Sequence, residues 1–334
     1  MAKRDKKLTA LLRILKESNR PLTSTQIADH LNSSGIDISE RSIRLYLGDL
    51  DKKGLVISHG RRGKTISEAG SEYLRSEQLV YHIGYLSAKI DQMTYAMNFD
   101  LARRSGKVVV NVSLVDPHLL HRYCDAIGKV FELGYAMGNR VMLLGPGEEL
   151  GDIQIPEDKV GFCTVCSITL NGVLLKHGIP TSSRFGGLLF LNKGKPERFV
   201  EVIHYDATSI DPLEVFIRSG MTDYWGAISR KTGKIGASFR ELPADSREMV
   251  THIAQHLDEI GLGAFMKIGL PGQSVLDIPV SEGRIGALVI GGLNPIAILE
   301  EKENRVVSKA MSGLVEFTRL FTYKDLATRL KHFV

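Results

Sequence analysis

A chain that repeats itself can fold only in ways that pair or stack its copies, and most of this sequence is a repeat. "SGKVVVNVSLV", from Ser105, parallels "TGKIGASFREL", from Thr232. Each run leads into helical sequence, "DPHLLHRYCDAIGKVFELG" in one copy and "DSREMVTHIAQHLDEIG" in the other. "VMLLGPGE" then matches "FMKIGLPGQ", and "IPEDKVGFCTVCSITLNGVLL" matches "IPVSEGRIGALVIGGLNPIAIL", aligning Pro146 with Pro271, Pro156 with Pro279 and Asn171 with Asn294. Finally, "TSSRFGGLLFL" lines up with "SKAMSGLVEFT". The offset stays near ~125 residues throughout, as one duplicated unit requires. Strand-like runs alternate with helical segments. This predicts an internally duplicated α/β (α+β) domain over residues 81–334, with repeats at about 81–207 and 208–334 and a ligand cleft at their junction.

The copies differ at one place that folding does not explain. Thr181, Ser182, Ser183 and Arg184 stand where the second copy reads "SKAM", which has no arginine. A scaffold that needed these groups to fold would have needed them twice. Hydroxyls and backbone N–H groups can ring an anion, and an arginine fork matches a carboxylate or phosphate. Pro180 stiffens the approach, and Gly186-Gly187 is expected to let backbone come close to a ligand. Cys166, Ser167 and Asn171 precede it on what is expected to be the adjoining strand. The expected ligand is a small carboxylate or phosphate, with Arg184 as its anchor; Arg184→Ala should then abolish the response to ligand. A solvated loop whose arginine pairs locally is the alternative reading.

Other motifs carry less. Cys163-x-x-Cys166 lies in an apolar run with no second pair and no histidine at zinc spacing, so no metal site is expected. "GPGEELG" and "GLPGQ" lack the Lys-Ser/Thr of a phosphate loop. Asp211-Pro212 reads as a helix cap with proline at the first helical position, not as a catalytic carboxylate. No acid, base or nucleophile is placed for chemistry, so no catalytic residue and no cofactor are assigned. Three cysteines make no disulfide framework, and no run of about 18 apolar residues exists; a cytoplasmic, non-membrane protein is expected.

The first 80 residues are different in kind. Of the net charge of +5, residues 1–80 hold the whole: 15 Lys/Arg against 10 Asp/Glu there, and 28 of each in the remainder. A polyanion partner is therefore sought in this quarter. Leu8, Leu11, Leu12 and Leu15 mark a first helix over about 6–18. Thr23-x-x-Gln26 opens a second as a capping box. A third begins near Ser39, carries Ile43, Leu47 and Leu50 on one face, and stops at Gly54. Two strand-like pieces joined by "GRRG" follow, and another helix opens at Ser67.

That order predicts an N-terminal winged helix-turn-helix over residues 1–80, its third helix in the major groove. Ser39, Glu40, Arg41, Ser42 and Arg44 would face DNA, with Tyr46 beside them. Arg61, Arg62 and Lys64 would reach from the hairpin tip, with Lys52 and Lys53 before it. Solvated turns, or a protein-interaction module, would be the alternative.

A winged helix joined to "TVCSITLNGVLLKHGIPTSSRFGGLL", "DPLEVFIRSGMT", "GLPGQSVLDIPV" and "GGLNPIA" resembles the archaeal nitrogen-regulatory repressor family, NrpR. The resemblance spans essentially the whole chain. It implies a homodimeric repressor of nitrogen-assimilation genes, acting on a palindromic operator in double-stranded DNA, alone or with a related sensor-domain chain. It also implies 2-oxoglutarate as the effector that weakens operator binding. The rival expectation is an α/β enzyme of carboxylate or amino-acid metabolism fused to a DNA-binding domain.

Overall fold

The computed structural model describes residues 2–18, 20–33, 38–74, 85–302 and 306–333. They form two compact units, Met1–Gly84 and Tyr85–Val334.

In the first unit, helices α1 (Ala2–Ser18), α2 (Ser24–Ser33) and α3 (Glu40–Lys52) precede the short strands β1 (Val56–Ser58) and β2 (Lys64–Ile66). A helix α4 covers residues 68–74. The apolar stripes seen in the sequence form one core: Leu11, Leu12 and Leu15 of α1 pack with Ile27, Leu31, Ile43, Leu47 and Leu50. Losing one of these large side chains costs about 2–5 kcal/mol. The capping box forms at the start of α2. Thr23 N–H donates to Gln26 Oε1 at 3.0 Å, and Gln26 N–H donates to Thr23 Oγ1 at 3.4 Å. The wing is antiparallel, with Val56 opposite Ile66 and Ser58 opposite Lys64. Leu22 extends it by exchanging two backbone hydrogen bonds with Lys64. At Gly63, φ is +107°, and a Cβ would lie 2.2 Å from the Leu22 carbonyl oxygen, so no other residue fits.

The second unit carries two five-stranded sheets in which every strand pairing is antiparallel. After helix α5 (Leu86–Ala96) comes β3 (Lys107–Val115), helices α6 (Pro117–Arg122) and α7 (Cys124–Glu132), and β4 (Arg140–Leu144). A small hairpin, β5 (Glu149–Leu150) and β6 (Ile153–Gln154), leads to β7 (Val160–Val165) and helix α8 (Ile168–Lys176). Strands β8 (Ser182–Asn192) and β9 (Lys195–His204) follow, then helices α9 (Pro212–Arg218) and α10 (Tyr224–Arg230). The second copy proper is β10 (Gly233–Pro243), α11 (Arg247–Glu259), β11 (Phe265–Ile268), β12 (Arg284–Ile290) and α12 (Ala297–Glu300). Strands β13 (Val307–Glu316) and β14 (Phe321–Thr322) and helix α13 (Leu326–Leu330) complete the unit.

The sheets do not follow the sequence repeat. One runs β13-β3-β7-β4-β14 and the other β11-β12-β10-β8-β9. Strand β8, from the first copy, pairs with β10 of the second, and β13, from the second copy, pairs with β3 of the first. Each copy thus completes its partner's sheet, and a single hydrophobic core runs through both. Further bonds tie the copies. Asn294 donates to the Tyr135 and Gly236 carbonyl oxygens at 2.8 Å each, and Asn139 N–H donates to the Gly261 carbonyl at 2.9 Å. As the sequence suggested, Asp211 caps α9: its Oδ1 accepts from Leu213 N–H at 2.9 Å, with Pro212 in the first turn.

Candidate functional site

Where β8 of one copy meets β10 of the other, Ser183 lies opposite Arg240. Arg240 is 1% exposed. Its Nη2 donates to Ser167 Oγ at 2.9 Å, and its Nη1 donates to Asn171 Oδ1. Asn171 Nδ2 in turn donates to Ser183 Oγ at 3.1 Å. The turn after β7 supplies Ser167, the first turn of α8 supplies Asn171, and the two long strands supply the rest. Four side chains from both sequence copies therefore converge on one point.

The electrostatics of that point are unbalanced. Among the described residues no carboxylate lies within ion-pair distance of Arg240. The titratable groups acting on it are the Tyr205 phenol and the Cys166 thiol, and burial pushes both of those up, the thiol to about 12. Both are neutral at pH 7. Burial lowers the Arg240 pKa to about 10, which leaves it protonated. Its Nε is buried without a partner. A buried cation with neutral neighbours is held at a cost of several kcal/mol, which an incoming anion offsets.

Beside this cluster lies a small cleft lined by Asn111, Cys166, Ser167, Tyr205, Asp211 and Met311, with a volume of about 20 Å³. That admits roughly one water and no organic acid, so occupancy by anything larger requires the lining side chains to move. Burial, and next the neighbouring Glu214, raise the Asp211 carboxyl to about 6.

The first unit presents a second candidate surface. On α3, Arg41 is exposed and meets no carboxylate among the described residues. Arg61 and Arg62 at the wing tip are likewise exposed and unpaired among the described residues, and Lys52 and Lys53 are exposed.

A family model for the NrpR regulatory domains NRD1 and 2 matches residues 83–322. The chain belongs to the NrpR family. A second model, for the ribonuclease R winged-helix domain, matches residues 9–74. Global nitrogen regulator NrpRI of Methanosarcina mazei is 32% identical over 313 residues, covering 94% of this chain and 96% of that protein. Global nitrogen regulator NrpR of Methanocaldococcus jannaschii is 33% identical over 333 residues, 98% of this chain but 58% of its own length. The chain therefore spans little more than half of that relative. Among solved structures, a nitrogen repressor-like protein from Methanococcus jannaschii superimposes with a TM-score of 0.61 at 27% identity, covering 72% of this chain and 99% of that one. With relatives named as regulators across nearly its whole length, this NrpR-family chain is a regulator and not an enzyme.

The structure sorts the residues expected from the sequence. Cys166, Ser167, Asn171 and Ser183 lie together around Arg240. Thr181 has a buried hydroxyl with no partner. Arg184 is not part of this cluster. Strand β8 bulges there, and the Arg184 guanidinium pairs at 2.8 Å with Glu241, whose side chain is 4% exposed. Burial pushes that carboxyl up, but bonds from Ser281 and from Arg184 outweigh it and hold the pKa below the usual range. Ser182 sits opposite Glu241 in the same register. At Gly186 and Gly187 the close approach is to the protein itself. A Cβ on Gly186 would lie 2.9 Å from Pro212 Cβ, and one on Gly187 would lie 2.5 Å from the Glu201 carbonyl oxygen.

The residues expected at DNA are sorted likewise. Ser39 caps α3, its Oγ accepting from Ser42 N–H at 3.3 Å. Glu40 accepts from Ser24, Thr25 and Arg44, which ties α3 to α2 and occupies both members of the Glu40–Arg44 pair. Lys64 is bound to Asp51 at 3.0 Å, with its side chain 19% exposed. Arg41, Arg61 and Arg62 keep their charges free for phosphate or bases.

Arg240 is the residue the sequence reading missed. Its signal was present: in the aligned first strands of the two copies, Arg240 stands where Ser113 stands in the other. Ser113 simply exchanges a hydrogen bond with Ser308 at 2.8 Å. Of the "TSSR" run, Ser183 lies opposite Arg240, whereas Arg184 pairs with Glu241.

Proposed function

We propose that the chain is a transcriptional repressor whose residues 1–80 bind duplex DNA and whose residues 81–334 bind 2-oxoglutarate, which releases the DNA. The observation that carries the effector half is the buried, uncompensated charge of Arg240 amid Ser167, Asn171 and Ser183. A dicarboxylate with a keto oxygen matches this set: the guanidinium takes one carboxylate, and hydroxyl and amide groups take the remaining oxygens. The anion removes the cost of the orphan cation, so binding selects the ligand by charge first.

The cleft spans residues from both copies and is too small for this ligand when closed. The exchanged strands β8 and β13 keep the copies from separating as bodies, so binding instead favours a rearranged lining around Arg240, and that rearrangement is the element that reports occupancy. A homodimer, alone or joined by a related sensor-domain chain, sets two α3 helices on a palindromic operator, about one DNA turn apart. Ligand shifts that spacing, and linkage requires operator DNA to weaken ligand binding by the same factor. In this reading the coupling runs through the stretch from Ser67 to Arg104, of which residues 75–84 lie outside the described ones.

Duplex DNA binding measured against salt tests the other half. Affinity that falls steeply with salt, and falls further when 2-oxoglutarate is added at fixed salt, supports the reading. Salt-independent behaviour, with no retention of duplex DNA, would make the first unit a protein-interaction module instead.

A further inference from the structure

Resting on the DNA-binding reading above, one position in α3 carries the account further. Gly48 lies inside a regular helix of 13 residues, where glycine lowers helix stability relative to alanine. Nothing in the fold asks for it. Its φ is ordinary, and a Cβ built there meets no atom within 4 Å among the described residues. Compare Gly63, which the wing requires on both counts. Gly48 also lies on the face of α3 opposite the core residues Ile43, Leu47 and Leu50.

The same face carries a second anomaly. Leu45 is 63% exposed, in the middle of a stripe formed by Arg41, Leu45, Gly48 and Lys52 at helical spacing. An exposed leucine alone means little. Here it sits between free cations, beside a glycine that creates open space. Arg41 and Lys52 on this face, and Arg61, Arg62 and Lys53 beyond it, are exposed, so the partner that approaches is a polyanion.

We infer that Leu45 and Gly48 determine how this helix reads the major groove. Gly48 lets α3 sit deeper than a side chain at that position would allow. Leu45 then packs on the 5-methyl group of a thymine, while Arg41 donates its fork to a guanine edge. The two side chains are one turn apart, about 6 Å along the helix. A guanine and a thymine therefore fall within one or two base pairs of each other in each half-site.

The test begins with full-length protein and a random duplex pool, from which bound sequences are recovered. Failure to enrich any sequence would refute the sequence-reading part of the DNA-binding proposal itself, and this inference with it. With an enriched site in hand, each thymine is replaced by uracil, which removes only the methyl group. One position per half-site should weaken wild-type binding about fourfold, the loss expected for one buried methyl, and Leu45→Ala should abolish that sensitivity. Gly48→Ala should raise the melting temperature of the first unit by a few degrees and weaken binding at least tenfold, so the loss is not misfolding. Gly48→Ala binding as tightly as wild type overturns the inference. So does Leu45→Ala that keeps the wild-type response to uracil.

Discussion

Arg240 donates a hydrogen bond to the side-chain oxygen of Asn171, joining the first strand of one sequence copy to the helix of the other. Asn171 is also bound to Ser183, so one amide holds the arginine and the strand beside it in a fixed relation. Ligand chemistry and the packing of the two copies thus meet in the same group. In the proposed reading, an anion that takes its hydrogen bond from Arg240 Nη1 competes with Asn171 and loosens that joint.

The surface arginine of the same strand behaves differently. Arg184 is 40% exposed and pairs with the buried Glu241, which Ser281 also holds by its backbone N–H and its hydroxyl. Arg184→Ala is expected to lower stability by about 1–2 kcal/mol, since solvent screens the pair and Ser281 keeps the carboxylate satisfied. Effector affinity should change less than threefold. Chemical denaturation and calorimetry on one preparation check both.

Gly187→Ala is expected to destabilise the protein by about 2 kcal/mol or more, because the new methyl meets the Glu201 carbonyl oxygen at 2.5 Å and the Phe199 ring at 2.8 Å. Strand β9 would have to move away from β8. Reduced amide-exchange protection over residues 195–204 in the variant is the expected signature.

Asp211 makes stability depend on pH in a definite direction. Its folded pKa, about 6, lies above the ordinary aspartate value, so the folded state binds the proton more tightly. The penalty is full above pH 6 and is relieved as pH falls toward 4. Asparagine keeps the cap and cannot ionise. Asp211→Asn should therefore be more stable than wild type by about 1–2 kcal/mol at pH 8, with the advantage gone at pH 4. Urea unfolding at the two pH values measures it.

At the wing, Arg61→Ala and Arg62→Ala should each reduce the slope of log affinity against log salt by about 1. Lys64→Ala should leave the slope nearly unchanged, since Lys64 already serves Asp51. Fluorescence anisotropy with a duplex over a salt series separates them.

Much of this was legible in the residues. The three helices of the first unit follow from leucine spacing and from the Thr23 and Ser39 caps, because local periodicity and local hydrogen bonds set them. The duplication was legible too, since both copies keep their turn residues. The exchange of β8 and β13 between sheets was not: a strand's period of two says which face is buried but not which strand pairs with it. For the same reason the sequence left open whether "TSSRFGG" was a solvated loop or the edge of a ligand site, when most of it is a strand. Glu241, the partner that engages Arg184, and the two surfaces that need Gly186 and Gly187 are all distant in sequence. Arg240 was hidden within an alternating strand, and only comparison with Ser113 exposes it.

The central claim is that the buried charge of Arg240 binds the effector. Calorimetric titration of 2-oxoglutarate into wild type and into Arg240→Met tests it most directly, with succinate and glutamate as controls. Replacing an uncompensated buried cation with an apolar side chain of similar length is expected to leave stability unchanged or raise it by about 2 kcal/mol. The account predicts saturable, selective heat from wild type and none from a folded Arg240→Met. Wild-type heat that survives intact in Arg240→Met would contradict it.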